Sequence, residues 1–312
     1  MEEKKILIAG GSGLIGGMLS EHFSAHGYTV NILSRQEGQR KNIFFWNPAK
    51  EIIDDEALRD VSVIINLGGA SLADGRWTAK RKQEIVNSRI QSTDFLLHKL
   101  KSTEHSVKTF ISASAVGFYG SRGDEWIDET FPAGKDFLAA CCSYWEESAL
   151  KITALGIRTT IFRIGIVLSK KGGALPLLAR PVKLFAGAPL GSGRQFISWI
   201  HQADLCMMFL KAAEDKMING IYNAASPEPL TNREFTKTLS RVLHRPFFLP
   251  PVPVFLLNLI LGEQAITVTG GQRVSCKKIL DQNFSFTYPR LEGALSELYF
   301  PNTTPSPLER EG

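Results

Sequence analysis

The chain has 312 residues, 44% of them apolar and 21% charged, the mix of an ordinary folded protein. That composition excludes a disordered polymer, a collagen-like repeat and a disulfide scaffold, and the length exceeds what one hydrophobic core fills, so a large domain with a smaller lobe is expected. Lysine and arginine total 36 against 31 acidic residues, a net charge of +5 that suits an anionic ligand such as a nucleotide and falls short of a dedicated nucleic-acid binder.

Ile6 to Ala9 is a short apolar run, as in a strand buried on both faces. A helical pattern follows from Leu14 to His26. Tyr28 to Leu33 reads as the second strand, Ile43 to Trp46 as a short third and Val61 to Asn66 as the fourth. A long helix is expected from Thr78 to Leu100, with Ile85, Ile90 and Leu97 among its apolar positions. Lys80-Arg81-Lys82, the densest basic cluster, falls on it as a solvated face. Val107 to Ala113 predicts a strand, Asp136 to Leu155 a helix, and Arg158 to Leu168 a strand rich in β-branched residues. This alternation predicts an α/β, Rossmann-type domain over residues 1–170: a doubly wound parallel sheet with helices on both faces, to which later segments can return.

After Ser169 the pattern changes. Gly172-Gly173 opens a loop, and Gly187 to Gly193 is rich in glycine and proline. Helices are expected at 203–214, 232–243 and 254–261. Residues 171–300 then form a smaller C-terminal α/β substrate lobe. Residues 301–312, with Pro301, Pro305 and Pro307, read as a frayed tail. The longest apolar stretch, Val252 to Leu261, contains Pro253 and Asn258 and falls short of the ~20 residues of a membrane-spanning helix, so no membrane partner is expected. Cys141, Cys142, Cys206 and Cys276 form no C-x-x-C pair and no metal spacing. The segment from Met1 to Lys5 lacks the pattern of a secretory signal. Reduced thiols in the cytoplasm are the expectation.

The strongest local signal is the run Gly10-Gly11-Ser12-Gly13-Leu14-Ile15-Gly16, which leaves the first strand and opens the first helix. Gly10 permits the tight turn, Gly13 lets backbone approach a pyrophosphate, and Gly16 lets the helix pack close to the sheet. The helix N-terminus offers free N–H groups to phosphates. A glycine-rich turn without a ligand is the alternative.

The end of the second strand chooses the cofactor. NAD calls for a carboxylate there, and Asn31 to Gln36 contain none. Ser34 and Arg35 stand in its place. A hydroxyl and a guanidinium can hold a 2′-phosphate, which favours NADP(H) over NAD(H). Alternatively, Arg35 begins a polar loop that also holds Arg40 and Lys41. Asn66-Leu67-Gly68-Gly69-Ala70 closes the fourth strand, either as backbone for a cofactor ribose or as a simple turn.

At this point the sequence resembles the extended short-chain dehydrogenase/reductase family. The glycine spacing, the Asn-Leu-x-Gly strand end and Ile111 to Gly120 carry the resemblance. It is most similar to the atypical YfcH-like "epimerase family" subgroup. The subgroup's marks are Arg76-Trp77-Thr78, Asn87-Ser88-Arg89, Ser114 to Gly120, Trp145-Glu146, Gly191-Ser192-Gly193, Gln195 to His201, and Asp204. The resemblance spans about residues 4–298, including a family C-terminal domain at about 248–298 with no assigned function. It implies cofactor contacts at the Gly10–Gly16 turn, Ser34, Arg35, Leu67, Gly68, Glu84, Arg89 and Arg163. Read from the residues alone, Glu84 and Arg89 are an i, i+5 pair of surface charges. Arg163, inside an apolar strand, needs an anion or several acceptors, and a structural ion pair is its alternative.

Hydride chemistry at a hydroxyl needs a general acid/base. Typical family members use Ser plus Tyr-x-x-x-Lys, in which the lysine charge lowers the tyrosine pKa. Ser114 matches the serine. No tyrosine has a lysine four residues later, and counting back from Glu146 places Leu138 and Cys142 at those positions. Tyr119 is the substitute acid/base and Tyr144 a weaker one; for both, packing with a bonded hydroxyl is the alternative. His201 either reaches substrate or is structural. Two functions follow from this. One is an NADP(H)-dependent oxidoreductase or sugar-nucleotide-epimerase-like enzyme acting on a small hydroxyl or carbonyl substrate, with a nucleotide sugar as the family-level candidate and no nucleic acid. The other is a non-catalytic NADP(H)-binding regulatory or sensor protein.

Overall fold

The computed structural model describes residues 4–36 and 42–301. Arg40, Lys41 and the tail from residue 302 onward lie outside the described residues. The chain divides into two compact units. The first comprises Met1–Phe118, Lys135–Arg163 and Cys206–Tyr222; the second comprises Tyr119–Gly134, Ile164–Leu205 and Asn223–Gly312.

The first unit is built on a sheet of eight strands: β1 (Lys5–Ala9), β2 (Thr29–Ser34), β3 (Ile43–Asn47), β4 (Ile52–Ile53), β5 (Val61–Asn66), β6 (Thr109–Ala115), β7 (Arg158–Ile164) and β8 (Gly220–Ala224). Their order is β8-β7-β6-β5-β1-β2-β3-β4. The run β3-β2-β1-β5-β6 pairs in parallel, and β4 adds an antiparallel edge on β3. Three helices connect them: α1 (Leu14–Ala25), α2 (Ala79–Ser102) and α3 (Phe137–Leu150). This is the Rossmann-type α/β fold expected from the βαβ alternation.

The near-continuous apolar strands follow from burial on both faces. Leu7, Ala9, Leu33, Ile64, Phe110 and Ile161 from the strands meet Phe95, Leu96 and Leu100 of α2 in one core. Side-chain caps set two of the helices. Thr78 Oγ1 accepts the Arg81 N–H at 3.2 Å to start α2, and Asp136 Oδ1 accepts the Ala139 N–H at 2.9 Å to start α3. Gly13 begins α1 with no side chain to cap it. The strand order reverses between β1 and β5, where Ala9 stands opposite Asn66. Doubly wound sheets bind their ligands at the carboxyl ends of the strands at this point.

Two departures from the sequence expectations are informative. The strand expected from Arg158 to Leu168 breaks at Gly165. Ile166–Leu168 pairs instead, in parallel, with Trp199–His201 in the second unit. A Cβ on Gly165 would lie 2.6 Å from the Ser198 carbonyl oxygen, so only glycine permits that crossing. Among the helices of the second unit that the sequence did not anticipate, the longest are Ala174–Lys183 and Leu291–Tyr299. Pro176 and Pro181 disguised the first as loop. Its buried positions Leu175, Ala179 and Val182 join Trp199, Phe235, Leu239 and Leu295 in a second core. The helix expected from Asp136 to Leu155 ends at Leu150 and tightens into a 3-10 turn, Lys151–Leu155, closed by Gly156 at φ 72°. Among the described residues no helix is long and apolar enough to cross a membrane.

Adjacent glycines on α1 separate packing from conformational freedom. A Cβ on Gly16 would meet the Gly10 carbonyl oxygen at 2.3 Å, whereas one on Gly17 meets nothing within 4 Å. Gly16→Ala is expected to destabilise the fold by about 1–3 kcal/mol or more through backbone overlap. Gly17→Ala is expected to stabilise it by about 0.5–1 kcal/mol. Urea denaturation midpoints measure both, and equal shifts for the two variants would refute the close approach.

Candidate functional site

The site in the first unit is made where β1 and β5 end. Gly10 adopts φ 81°, and its N–H side of the turn closes with Gly13 N–H on the Gly10 carbonyl at 3.1 Å. A Cβ on Gly10 would touch the Leu67 carbonyl carbon and oxygen at 3.0 Å, and one on Gly11 would overlap Ile32 at 2.6 Å. Gly13 differs from both. A Cβ added there would meet only the Gly10 oxygen, at 3.4 Å, and Gly13 is exposed together with Ser12. The turn is therefore packed on its sheet side and open on its outer side, with the first turn of α1 uncapped above it. Leu14 and Ile15 are partly buried on that first turn. Those are the requirements for a phosphate cradle.

The β5 end is fastened to α2. Leu67 N–H bonds the Ala9 carbonyl at 2.9 Å, and Gly68 N–H bonds Asn66 Oδ1 at 3.1 Å. Asn66 Nδ2 donates to Thr93 Oγ1 at 2.8 Å, and Ala70 N–H donates to Ser88 Oγ at 2.8 Å. At the β2 end, Ser34 is buried and its Oγ accepts the Gln36 N–H at 3.1 Å, which leaves the hydroxyl proton to give. Arg35 beside it is exposed and makes no hydrogen bond or ion pair among the described residues.

Glu84 and Arg89 do not pair with each other. Glu84 is exposed and accepts Arg81 Nη1 at 2.7 Å, one turn away. Arg89 is half-buried, its Nη1 donating to the Ile85 carbonyl at 2.8 Å and the Ala70 carbonyl at 3.2 Å. Its guanidinium lies over the Trp145 ring, 5.1 Å from the centroid. Burial lowers the Arg89 pKa from the ordinary guanidinium value, while the nearby Cys141 and Cys142 thiols oppose that shift.

Arg163 has a protein anion. Its Nε and Nη2 donate to Glu146 Oε1 and Oε2 at 2.9 and 2.8 Å, both side chains are buried, and the Phe118 ring lies 3.5 Å from its guanidinium. Ser114 belongs to the same cluster. It is buried, and its Oγ donates to Glu146 Oε1 at 2.6 Å. The serine proton is thus committed to a carboxylate already held by an arginine. The next residue, Ala115, is partly exposed and has no hydroxyl. The buried arginine in an apolar strand was the sequence signal for this cluster; its partner Glu146, quoted only as part of a motif, was not assigned a role.

The remaining proton-transfer candidates are similarly held. Cys142, at the lysine position, is buried, and desolvation pushes its thiol up to about 12. Leu138, at the tyrosine position, packs near Gly117 with its Cβ about 3.5 Å from the place of a Cβ there. In the second unit, Tyr119 is wholly buried. Its hydroxyl donates to Asn223 Oδ1 at 2.7 Å, while Asn223 Nδ2 donates to the Ser275 carbonyl at 3.0 Å. This packed, bonded hydroxyl matches the alternative weighed for Tyr119 beside its role as acid/base. His201 is also buried. Its Nδ1 accepts the Ala203 N–H at 3.3 Å, so Nε2 carries the proton and faces Glu297 Oε2 at 3.0 Å. Burial lowers its pKa to about 4. Tyr144 on α3 is exposed.

Two measurements follow from these partnerships. Glu146→Gln leaves the Arg163 charge buried without its anion and is expected to destabilise the protein by about 3–5 kcal/mol in urea melts. His201 stabilises the fold fully above its unfolded pKa of about 6.5. Below that value the unfolded chain takes the proton first, so this stability drains away as pH falls from about 6.5 to about 4. Thermal melts across that window should fall more steeply for the native chain than for His201→Gln, and parallel slopes would remove the assignment.

The chain is similar to known proteins over nearly its whole length. It is 40% identical over 297 residues to the epimerase family protein YfhF of Bacillus subtilis, covering 94% of this chain and 97% of that one. It is 35% identical over 301 residues to the chloroplastic epimerase family protein SDR39U1 homolog of Arabidopsis thaliana, covering 93% and 85%. The crystal structure of human epimerase family protein SDR39U1, isoform 2, with NADPH superposes with a TM-score of 0.86 at 29% identity, covering 94% of this chain and 98% of that one. A domain of unknown function, DUF1731, matches residues 252–298. The family model for the NAD dependent epimerase/dehydratase family matches residues 6–225, across the glycine turn and the strand ends described above, and the chain belongs to that family.

Proposed function

We propose that the chain binds NADP(H) at the carboxyl ends of the first unit's strands and serves as a regulatory or sensing protein of that dinucleotide, without turning over a hydroxyl or carbonyl substrate through the family's Ser/Tyr/Lys relay. One observation carries the second half of this reading. The buried candidates for proton transfer are each bonded within the fold or neutral: Ser114 on Glu146, Tyr119 on Asn223, His201 on Glu297, and Cys142 as an undissociated thiol. A general acid/base needs a titration point near the working pH and a free approach to substrate.

The cofactor half rests on the turn and on the strand ends. Gly10, Gly11, Ser12, Gly13, Leu14, Ile15 and Gly16 would hold the pyrophosphate on backbone N–H groups. Ser34 and Arg35, which has no partner among the described residues, would take the 2′-phosphate, which selects NADP(H) over NAD(H). Leu67 and Gly68 would lie along a ribose. The presence of NADPH in the human relative's crystal structure supports the same choice. Glu84 and Arg163, implied as further contacts, are each bonded to an opposite charge of the chain. The rival reading is an oxidoreductase or epimerase-like enzyme for a small hydroxyl or carbonyl compound such as a nucleotide sugar. It is favoured by the exposed hydroxyl of Tyr144, two residues beyond Cys142 on α3.

Calorimetric titration is expected to show NADPH binding more tightly than NADH, with Arg35→Ala weakening NADPH about tenfold or more and NADH hardly at all. No NADPH oxidation above blank is expected across a panel of carbonyl compounds and nucleotide sugars. Turnover that survives in the native chain and disappears in Tyr144→Phe would establish the enzyme instead.

A further inference from the structure

We propose that the second unit carries a binding site for a small organic phosphate, in a concavity between the helix Ala174–Lys183 and the end of the helix Leu291–Tyr299. The site is separate from the dinucleotide reading above and does not depend on it. Lys170, Pro176, Arg180, Lys183, Leu184 and Tyr299 line the concavity, whose volume is about 570 Å³. All of them belong to the second unit. Small-molecule sites occupy about 300–1,000 Å³ and combine an apolar lining with a few placed polar groups.

Three cations meet there, and no anion of the chain answers them. Among the described residues, Lys170, Arg180 and Lys183 form no ion pair with a carboxylate and no side-chain hydrogen bond. Glu297 is the acid within electrostatic reach of Lys170, and its Oε2 faces His201 Nε2 at 3.0 Å. Arg180 and Lys183 are neighbours on one helix face, where like charges repel unless a counter-charge lies between them. The last turn of a helix favours cations at its carbonyls. Here those carbonyls are already taken. Leu184 N–H bonds the Arg180 and Pro181 carbonyls at 3.2 and 3.1 Å, and Phe185 N–H bonds the Val182 carbonyl at 3.0 Å. Arg245 Nε donates to the Lys183 carbonyl at 3.3 Å. Lys170 arrives separately, just past the strand Ile166–Leu168.

The lining selects the ligand. The Tyr299 ring centroid lies 5.9 Å from Lys170 Nζ and 5.0 Å from Lys183 Nζ, so two ammonium groups gather about one ring. The ring packs on the second core, and burial raises its pKa, so the phenol stays a donor. Two ammonium groups, a guanidinium and a phenol match a phosphate monoester, with about −1.5 to −2 charge and three acceptor oxygens. The apolar part of the ester would lie on Pro176, Tyr299 and the exposed Leu184. These groups line a hollow, which a small molecule enters and a flat bilayer surface does not.

Calorimetric titration of the full chain uses naphthyl phosphate as the probe, with naphthol and inorganic phosphate as its two halves. The complete probe is expected to bind about tenfold or more tighter than either half. Replacing both cations of the helix, Arg180→Gln with Lys183→Gln, should weaken it about 10- to 100-fold. Lys80→Gln, on the exposed surface of α2, should change it by less than about twofold. Arg180 and Lys183 are both exposed, so the double variant should fold, and its urea midpoint checks that. Its NADPH affinity should match that of the native chain, which separates failure of this site from failure of the dinucleotide reading. No saturable binding to the native chain, no loss in the double variant, or an equal loss in Lys80→Gln overturns the proposal. Binding to phosphatidylserine vesicles without binding to the soluble probe would assign the surface to a membrane and overturn it as well.

Discussion

At the carboxyl end of β1 three stretches of backbone come nearer than side chains would allow. Gly16 of α1 lies against the Gly10 carbonyl, where a Cβ would stand 2.3 Å away, and Gly10 lies against the Leu67 carbonyl at 3.0 Å. Gly11 is pressed onto Ile32 of β2. This close approach seats α1 directly over β1 and brings the ends of β5 and β2 to either side of an uncapped helix start. The same packing leaves Gly13 and Ser12 outward and accessible. Everything that would hold a dinucleotide descends from that contact: the N–H groups and the backbone of Leu67 and Gly68.

A second constraint acts deeper in the first unit. Two opposite charges, Arg163 on β7 and Glu146 on α3, are both removed from water and bonded twice to one another. A buried pair of this kind does little for net stability against an apolar equivalent, yet losing either partner strands the other. It locks α3 to β7 and, through the Ser114 hydroxyl, to β6. In doing so it takes the serine out of service as a free donor. The chain retains the family's framework while its acid/base positions hold a leucine, a neutral thiol and hydroxyls bonded to neighbours.

Much of this was legible beforehand because it depends on local rules. The βαβ alternation, the glycine spacing after the first strand and the hydroxyl–guanidinium pair Ser34-Arg35 in place of an acid are all local patterns, and the central strands fell within about two residues of expectation. The misses had non-local causes. The strand across Gly165 looked continuous because its apolar β-branched residues continue; the break is imposed by the Ser198 carbonyl, more than thirty residues away. Helix Ala174–Lys183 was hidden by two prolines whose local penalty is overruled by the burial of Leu175, Ala179 and Val182.

Sequence alone determined the family, the Rossmann-type sheet and the glycine-rich turn, since each is written in residue spacing that the backbone reads within a few positions. It also announced that Arg163 would need an anion and that the Tyr-x-x-x-Lys pair was absent. Only the tertiary structure decided who answers those needs. Glu146 meets Arg163, Asn223 accepts the Tyr119 hydroxyl, and Arg89 rests on the Ile85 and Ala70 carbonyls. Hydrogen-bond partners and burial are properties of residues brought together from distant parts of the chain, so no local pattern could have assigned them.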